Sequence, residues 1–445
     1  MKKYLFSFTV LLAFSLPSCK NSTESSRMQI ATSMETFLTG GLLEKWYPQA
    51  IDTVHGGFLS TFTYDFKPTG DQDKMIVTQA RHLWTNAKAS VRYPEVEHYK
   101  TSSKHGFEFL KNVMWDNQFG GFYWLVDRQG NVKGDSSKTA YGNAFGMYAL
   151  AAYYASSKDT SALHLAKKAF GWMEKNSHDA TQKGYFQQLQ RNGTPIARNA
   201  NTPSTADIGY KDQNSSIHLL EAFTELYQVW PDELLRERLT EMLLLIRDTI
   251  TTPKGYLTLF LQPDWTPVSF VDSTKELIEK HHQLDHVSFG HDVETAYLMM
   301  EASHILGLKN DTVTMRIAKK MVDHALKNGW DNTVGGFYDE GYYFKDQPAI
   351  TITHDTKNWW AQSEGLNALL LMADLYPDDS MNYFQKFETL WKYTDQYLID
   401  HEYGDLYAGG LDKQPDQKTA LKGHIWKAAY HQYRSLENCI VRLEK

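Results

Sequence analysis

A histidine and a glutamate stand three residues apart at a predicted helix start, within residues 288–294, Ser-Phe-Gly-His-Asp-Val-Glu. Residues three apart on a helix share a face, so His291 and Glu294 would lie side by side. An imidazole and a carboxylate in that arrangement can take up, hold and release protons. The plainer interpretation is a helix end whose polar groups are satisfied by two first-turn side chains. Apolar residues at helical spacing form the inward face: Val293, Ala296, Tyr297 and Met300.

Similar reactive or aromatic side chains recur at the predicted starts of other helices. Consecutive members are 60, 77, 73, 69 and 71 residues apart. If these helices form a closed ring, all of the side chains point into one central funnel, where a small molecule could bind. The set is Arg81, Tyr141, His218, His291, Trp360 and His431.

A short glycine-aromatic element recurs between the predicted helices and indicates a repeat. Its copies are 63 to 81 residues apart, which is enough for two helices and their connections. Units of this kind stack to bury a shared core. The sequence therefore predicts an all-α fold, an (α/α)6 barrel of six helical hairpins with short β-hairpins on one rim. The copies begin at Gly56, Gly120, Gly184, Gly255, Gly335 and, more weakly, Tyr403.

Twelve amphipathic segments are predicted as helices, the first at residues 33–46 and the last at residues 426–436. Two polar stretches, residues 191–213 and 262–286, interrupt the repeat and are predicted as loops that could cover a central cleft. The second stretch contains six residues, His281 to His286, with histidines four apart. Because it lacks the HExxH pattern and is predicted as a loop, we predict no metal site there.

The composition is that of a globular protein rich in aromatic residues. Its 445 residues include 12 Trp, 26 Tyr and 22 Phe, which suits a large helical core or surfaces that stack against sugar rings. The formal net charge is −7 and there is no long basic run, so we predict no nucleic-acid partner. The sequence contains no Walker loop and no GxGxxG motif, so nucleotide chemistry has no support.

The N-terminus carries the features of an exported lipoprotein. Two lysines precede an apolar run that is too short to cross a membrane, so residues 1–18 are predicted as a signal peptide. Residues 16–19, Leu-Pro-Ser-Cys, resemble a bacterial lipobox, in which Cys19 becomes the lipidated first residue. A plain signal peptide followed by an incidental cysteine is the alternative interpretation.

Residues 19–27 would then form the lipidated N-terminus and a polar tether, and residues 28–445 a single catalytic domain. Only Cys439 would remain in that domain, so no disulfide within the chain is predicted. We expect a bacterial lipoprotein that faces the periplasm, held at the outer membrane. Its only contact with the membrane would be the N-terminal lipid.

Six short motifs follow one another along the chain: Arg81-His82-Leu83-Trp84, Tyr141-Gly142-Asn143-Ala144-Phe145, Asn214 with His218-Leu219-Leu220-Glu221, Gly290-His291-Asp292-Val293-Glu294, Trp359-Trp360-Ala361-Gln362-Ser363-Glu364, and Trp426-Lys427 with Tyr430-His431. In this order and spacing they resemble the motifs of the N-acylglucosamine 2-epimerase superfamily, particularly its cellobiose 2-epimerase branch. The resemblance covers nearly all of residues 28–445. The family fold is a six-hairpin (α/α)6 barrel, which agrees with the repeat count.

The resemblance implies a cofactor-free inversion at C2 of an aldose. Inversion requires the open-chain aldehyde, a base that removes the C2 proton and an acid that returns a proton to the opposite face. His291 and His431 match the family's acid-base pair, and imidazole suits both tasks because its ordinary pKa is about 6.5. Arg81 would stabilise the enediolate oxygens, because a guanidinium stays charged and offers several donors.

The resemblance implies further roles around that pair. His218 would hold sugar hydroxyls or the carbonyl oxygen, and Glu294 would fix the tautomer and position of a neighbouring histidine. Flat indoles would stack on the sugar rings, although neighbouring tryptophans on a helix point about 100° apart and are not both expected to face the funnel. The implied sugar-binding set is Tyr141, Asn214, Trp359, Trp360 and Trp426.

The sequence thus predicts a carbohydrate 2-epimerase that acts without a metal or cofactor on the reducing-end sugar of a β-linked disaccharide, such as cellobiose or mannobiose. An aldose-ketose isomerase of the mannose-isomerase kind, or an N-acylglucosamine 2-epimerase, would use the same bases. A sugar-binding protein without activity is another alternative. An inverting glycoside hydrolase would need two opposed carboxylates, for which the candidates are Asp292, Glu294, Asp339 and Glu364.

Overall fold

The computed structural model describes residues 19–445, with side chains described from residue 26 onward. The predicted signal peptide, residues 1–18, and the side chain of Cys19 lie outside this part, so signal cleavage and lipidation stay predictions. Among the described helices, none is both long and apolar enough to cross a membrane.

Six helices form a closed inner ring: α3 (Ile76–Arg92), α5 (Ala140–Ser157), α7 (Gln213–Val229), α10 (Phe289–Ile305), α12 (Trp359–Leu375) and α14 (Tyr430–Leu443). Each packs against the next, and α14 packs back against α3, which closes the ring. Nearly every residue of α5 and α12 is buried, and both are rich in Ala, Leu and other apolar residues. A helix that is apolar on all sides is stable only when neighbours cover it completely.

Six outer helices surround the ring: α1 (Cys19–Thr36), α4 (Glu97–Phe109), α6 (Thr160–Asn176), α8 (Glu233–Leu245), α11 (Thr312–Asn328) and α13 (Tyr383–Tyr393). α1 packs against α14, and each of the others packs against the inner helix that precedes it. α11 is typical, with its apolar face buried and its lysines and arginine toward solvent. The alternation of inner and outer helices confirms the predicted (α/α)6 barrel.

Short antiparallel strands join the units on one rim, as predicted. They pair as β1 (Lys74–Met75) with β2 (Leu125–Val126), β3 (Lys138–Thr139) with β4 (Gln188–Leu189), β5 (Lys211–Asp212) with β6 (Phe260–Leu261), and β7 (Val287–Ser288) with β8 (Glu340–Tyr342), which also pairs with β9 (Thr351–His354). The strand before an inner helix pairs with the strand that follows the next outer helix. Each pair therefore fixes the start of one inner helix against the following unit.

A buried lysine-aspartate pair, which we call the rim clip, recurs in five of the six units. The aspartate begins the glycine-aromatic turn, and the lysine precedes the inner helix of the same unit. In the first four of these pairs the lysine Nζ also donates to a backbone carbonyl of the turn. The pairs are Lys74 with Asp52, Lys138 with Asp116, Lys211 with Asp179, Lys357 with Asp331, and Lys422 with Asp400.

Several predicted boundaries are wrong. The first predicted helix, residues 33–46, is part of a longer segment that runs from α1 through a π-helical stretch, Phe37–Leu43, to the three-residue α2 (Glu44–Trp46). The last, residues 426–436, begins only at Tyr430, because residues 425 and 426 form a turn. α1 also includes residues 20–27, which were predicted as a tether, and Ser26 Oγ donates a hydrogen bond to Glu388.

The stretch 262–286 is not a loop throughout. It contains α9 (Lys275–His281) and a 3-10 turn, His282–Leu284. Thr274 caps α9 because its side-chain oxygen accepts a hydrogen bond from the Leu277 amide, a signal present in the sequence. The other long stretch, residues 191–213, is irregular as predicted up to residue 210, but Lys211 and Asp212 form β5 and Gln213 begins α7.

Candidate active site

Arg81, Tyr141 and His218 form one side of the site, where three inner helices begin. Arg81 Nη2 donates a hydrogen bond to the Tyr141 hydroxyl at 3.2 Å. The ring of Tyr141 lies 5.1 Å from that of His218, edge to face. All three side chains are buried, so neighbouring residues hold them in place. The ring closure that the sequence predicted therefore brings together residues 137 positions apart.

Trp360 contacts both predicted acid-base histidines on the other side of the site. Its ring lies 4.7 Å from that of His291 and 5.8 Å from that of His431. The two sides meet at Tyr430, whose ring lies 4.8 Å from His431 and 5.1 Å from the guanidinium carbon of Arg81. The two histidines and the arginine thus share one cluster.

A buried charged network holds the Nδ1 atom of His431. This atom lies 2.8 Å from Oε1 of Glu364 and 3.9 Å from Oε1 of Glu294. Arg434, one turn further along α14, donates to the same Glu364 oxygen at 2.6 Å and also to Glu294 and Glu221. Because Glu364 Oε1 acts as an acceptor, the Nδ1–H of His431 donates to it, and Nε2 keeps a free lone pair.

Burial decides the protonation of these groups. It lowers the pKa of His291 to about 3 and lowers the pKa of His431 well below its ordinary value, so both imidazoles are neutral near pH 7. Burial alone would raise the pKa of Glu221, but the Arg434 guanidinium holds it at about 2. For Glu364 burial prevails, and the pKa is raised in spite of Arg434.

His291 is held in a different way. Its Nδ1 lies 2.8 Å from Oγ of Ser288, the last residue before α10. A hydroxyl can donate and accept, so this contact orients the ring without deciding which nitrogen carries the proton. His431 has a fixed tautomer with Nε2 as a base, whereas His291 can present Nε2 either as a base or as an N–H donor.

Arg81 is a buried cation without a carboxylate partner. Among the described residues, no carboxylate oxygen lies within 4.0 Å of its guanidinium. Its Nη1 donates to the backbone oxygen of Trp426 at 3.1 Å, the rings of Phe145 and Tyr430 cover its faces, and Nε is buried without a partner. A site built this way favours an anionic group beside Arg81.

The chain matches the model of the family described as N-acylglucosamine 2-epimerase (GlcNAc 2-epimerase) over residues 56–435. The chain belongs to this family. A cellobiose 2-epimerase of Ruminococcus albus is 30% identical over 401 residues, which are 88% of this chain and 93% of that protein. A D-mannose isomerase of Marinomonas mediterranea is 24% identical over 392 residues, which are 87% of this chain and 91% of that protein.

Solved structures agree with this membership of the epimerase family. The structure of cellobiose 2-epimerase from Bacillus thermoamylovorans B4167 superposes with a TM-score of 0.80 at 25% identity, covering 93% of this chain and all of that one. The protein is therefore an isomerase of the epimerase class that acts on carbohydrates. The predicted family and the predicted barrel are both confirmed.

The neighbouring tryptophans of this family member face different ways. Trp360 contacts the two histidines, whereas Trp359 packs beside His424, 5.8 Å away, and Lys427, whose Nζ lies 5.7 Å from the ring. This is the expected consequence of the 100° step between adjacent helix positions. Of the two, Trp360 is the one that contacts the histidine pair.

Asn214 and Trp426 lie at the edge of the cluster. Asn214 is half-buried in the first turn of α7, and its side chain makes no hydrogen bond among the described residues. Trp426 is 45% exposed in the turn before α14, with its ring 6.4 Å from Tyr141 and 5.9 Å from Trp124. Trp124 was not predicted, although it directly follows the glycine-aromatic element that begins at Gly120.

Other members of the site were missed although the sequence carried a signal for them. Arg434 and Glu221 each lie three residues after a predicted histidine on the same helix face. Sequence reasoning gave the tautomer-fixing role to Glu294, but Glu364 makes the closer contact with His431. Glu364 comes from α12 and not from the helix of either histidine, so only the closed ring reveals this contact.

Proposed function

We propose that this epimerase-family member inverts C2 at the reducing end of a β-linked disaccharide, such as cellobiose or mannobiose, through an enediolate. The observation that carries the proposal is the pair of neutral imidazoles, His431 and His291, which contact the same indole of Trp360, while Arg81 lies against Tyr430, the neighbour of His431. Inversion at carbon needs one proton to leave one face and another to arrive on the opposite face. Two separate nitrogen atoms meet that need.

His431 is the base in this proposal. Its Nε2 lone pair takes the C2 proton of the open-chain aldehyde, the C2–H bond breaks, and the electron pair moves through C1 onto the carbonyl oxygen. The new imidazolium is stabilised by the carboxylate of Glu364, which accepts from Nδ1–H, and by Glu294 nearby. The network therefore offsets part of the cost of charging a buried imidazole.

Arg81 stabilises the enediolate that results. Its guanidinium stays charged at any working pH and has a buried Nε–H without a partner. His218, whose Nδ1–H donates to the Glu221 carboxylate at 2.8 Å, presents Nε2 as an acceptor for a sugar hydroxyl. Donors that are already in place when the negative charge develops lower the barrier most.

His291 returns a proton to C2 on the opposite face. The enediolate beside it is an anion and raises the pKa of His291, so the ring takes up a proton from water and delivers it from Nε2. The C2–H bond forms again, and the electron pair returns from oxygen to carbon. One proton has passed from C2 to His431 and one has passed from water through His291 to C2, so His291 is neutral again and His431 returns its proton to water before the next turnover.

The test is solvent exchange at C2. Purified protein is incubated with cellobiose, mannobiose, mannose or N-acetylglucosamine in heavy water, and the products are followed by NMR. We expect deuterium at C2 of the reducing sugar, with the opposite configuration and an intact glycosidic bond. Release of a monosaccharide, or no exchange with any of these sugars, would refute the proposal.

Variants assign the roles. His291→Asn and His431→Asn should each lower kcat/KM by about 10² to 10⁴, the usual contribution of a general acid or base, while the circular dichroism spectrum stays unchanged. His401→Asn is the matched control, because that imidazole is 66% exposed on the surface. Full activity in either active-site variant removes that residue from the acid-base pair.

An aldose-ketose isomerase is the second candidate, favoured by the similarity to a D-mannose isomerase. It would use the same base and the same enediolate, but the proton would return to C1 and the product would be a ketose. In the heavy-water experiment a ketose with deuterium at C1 supports this candidate. An epimer with deuterium at C2 excludes it as the main activity.

The preference for a disaccharide rests on Trp426. Its exposed ring beside Trp124 gives a second sugar ring a stacking surface next to Tyr141. Trp426→Ala should raise the KM for cellobiose by about threefold to tenfold, as expected for one lost stacking contact. The KM for mannose should change less. An equal rise for both sugars would show that Trp426 holds the reacting sugar itself.

We also propose, on the sequence of residues 1–19 alone, that a lipid on Cys19 holds the enzyme at the outer membrane facing the periplasm. Cys19→Ala should move the protein from the membrane fraction to the soluble periplasmic fraction. An unchanged distribution between these fractions would refute the anchor.

A further inference from the structure

A cluster of histidines and a glutamate lies on the rim of the fourth unit, outside the acid-base site. The 3-10 turn after α9 places His282 and His286 one turn apart. The three-stranded sheet brings Glu340 of β8 and His354 of β9 against them as cross-strand partners. The sequence pattern predicts no metal site in residues 281–286, because the residues that complete this cluster lie 54 or more positions further along the chain.

The nitrogen and oxygen atoms of the cluster converge. His354 Nδ1 lies 2.8 Å from Glu340 Oε2, His282 Nε2 lies 3.6 Å from the same oxygen, and His286 Nε2 lies 3.6 Å from Oε1. The donor atoms of His282, Glu340 and His354 all lie within 4.8 Å of one another. Ligands of one tetrahedral zinc ion, each about 2.0–2.1 Å from the metal, are separated by roughly 3.3 Å.

The tautomers direct free lone pairs into this space. His286 Nδ1 lies 3.0 Å from the carbonyl oxygen of His282, and His282 Nδ1 lies 3.3 Å from that of Glu279. A carbonyl oxygen only accepts, so in each neutral ring Nδ1–H donates to it and Nε2 is left bare. Each bare nitrogen then faces the carboxylate of Glu340, which is also only an acceptor.

The arrangement therefore places three acceptors face to face, the Nε2 atoms of His282 and His286 and the carboxylate of Glu340, and His354 Nδ1 is the one possible donor to them among the described residues. Glu340 Oε2 is a buried atom without a hydrogen-bond partner in the described structure. A shared cation would satisfy the carboxylate and both bare nitrogens together. Backbone carbonyls that hold the outer nitrogen of a histidine are the usual support for a metal-binding imidazole.

We infer that His282, His286, His354 and Glu340 form a binding site for one divalent transition-metal ion, with Zn²⁺ as the ion that fits best. Three imidazole nitrogens and one carboxylate oxygen make a donor set that zinc accepts in tetrahedral geometry. Mg²⁺ and Ca²⁺ prefer oxygen ligands and are not expected to bind. The side chains of His282 and His354 are partly exposed, so they can move toward one ion, and His286, which contacts only Glu340 Oε1 and lies outside the group of three, must move with them.

A second group of possible metal ligands differs from the rim cluster because it already contains a cation. Glu294, Glu364 and His431 also bring their donor atoms close together. There the Arg434 guanidinium already donates to both carboxylates, so the cation is supplied by the protein. In the part of the chain that the structure describes, no arginine or lysine lies within salt-bridge distance of Glu340.

A metal ion at this site would connect the segment around α9 to the sheet that leads into the active site. Ser288, which holds His291 at 2.8 Å, is the cross-strand partner of Glu340. The ion would therefore hold the α9 segment against the rim and stiffen the strand in front of His291. It is a structural site and takes no part in proton transfer.

Calorimetry with the metal alone tests the inference. The chain from residue 19 to residue 445 is treated with EDTA to remove bound metal and is then dialysed. It is titrated with ZnCl₂ and, in a separate experiment, with MgCl₂. We expect one Zn²⁺ per chain, a higher melting temperature with zinc, and no binding of Mg²⁺. Crystals soaked in zinc should show anomalous density between Glu340 and the three imidazoles.

Ligand variants complete the test. His282→Gln and His354→Gln should each weaken zinc binding by about tenfold or more, and the double variant should abolish the thermal shift. His401→Gln, an exposed surface histidine, is the control and should bind as the unaltered protein does. Unchanged stoichiometry and affinity in the double variant would overturn the inference, as would equal binding of Mg²⁺. These readouts are independent of catalysis, so they hold whatever reaction the enzyme performs.

Discussion

The fourth unit differs from the other five in how its rim is held. In those five, the rim clip joins a buried lysine before the inner helix to the aspartate of the glycine-aromatic turn. The fourth unit has Val287 at the lysine position, since Val287 pairs with Gly341 as Lys74 pairs with Val126. Thr252 stands where the aspartate would be, and its amide bonds to the turn in the same way.

Aromatic packing replaces the ion pair in the fourth unit. The ring of Tyr256 lies 5.4 Å from Tyr343 and 5.3 Å from His324, and His324 Nε2 is 2.9 Å from the Tyr343 hydroxyl. This is the unit that carries His291, and β8 and β9 of the next unit complete the three-stranded sheet and the histidine-glutamate cluster against it. Five clipped units are thus sufficient to hold the ring, and the unit that contributes the less restrained catalytic histidine is the one without a clip.

Breaking a clip should have the largest effect. Lys211→Met leaves the buried carboxylate of Asp179 without a cation, because no other lysine or arginine of the described residues lies within salt-bridge distance of it. We expect the free energy of unfolding to fall by about 3–5 kcal/mol, which is the typical result of removing one partner of a buried pair. Denaturant unfolding followed by circular dichroism measures it.

The matched change in the fourth unit is Thr252→Ala. Its side-chain oxygen accepts only one long hydrogen bond, 3.3 Å from the Tyr256 amide, so we expect a loss of about 1 kcal/mol or less. If the two variants lose equal stability, the clip is not what distinguishes the five units from the fourth.

The ring of helices could be predicted because the sequence patterns that indicate it each lie within a single unit. Glycine-aromatic turns and apolar spacing lie within one unit, and six copies predict closure without any contact being known. The clips were missed because their partners are 22 to 32 residues apart and single lysines and aspartates are usually solvated. A fixed aspartate at the start of the turn, as in Asp52 and Asp116, was the available signal.

The candidate site was predicted in part for the same reason. His291 and His431 stand at helix starts and were predicted. The residues that hydrogen-bond to them lie at very different distances along the sequence. Ser288 lies three residues from His291, whereas Glu364 lies 67 residues from His431. The turn that delays α14 to Tyr430 was missed because residues 426–429 have ordinary helical composition. Only the closed ring decides which carboxylate reaches which histidine.

The second prediction compares the residues that hold the two histidines, Glu364 for His431 and Ser288 for His291. Glu364→Gln should lower kcat by about 10², because an amide can donate to Nδ1 of His431 and so favour the tautomer in which Nε2 is not a base. Ser288→Ala should lower kcat by about tenfold at most, since it removes one neutral hydrogen bond to His291. Nitrogen NMR shifts of labelled imidazole report the tautomer directly. A larger loss for Ser288→Ala would reverse the assignment of base and acid.

The smallest effect concerns Asp292, the fourth residue of α10. In the same position, Gln79 and Gln362 each accept from and donate to the backbone of the glycine-aromatic turn, and Asn143 accepts from the Phe122 amide. Among the described residues Asp292 accepts only from the Leu257 amide, and its buried Oδ2 has no hydrogen-bond partner, since His324 Nδ1 lies 3.9 Å away. Burial raises its pKa well above the ordinary 3.8. A neutral amide should therefore suit this position better than a carboxylate.

The sign of the pH dependence follows from that shift. A carboxyl group whose pKa is raised on folding contributes stability that is fully present below its unfolded pKa and is lost as pH rises through the folded value. Asp292→Asn does not titrate, so we expect it to be more stable than the unaltered protein by about 1–2 kcal/mol at pH 8, and by less at pH 5. The reciprocal control is Asn143→Asp in a unit that has a rim clip. This variant should lose stability as the pH rises. A destabilised Asp292→Asn at pH 8 would show that the carboxylate is ionised and held by contacts in the fourth unit that an amide cannot replace.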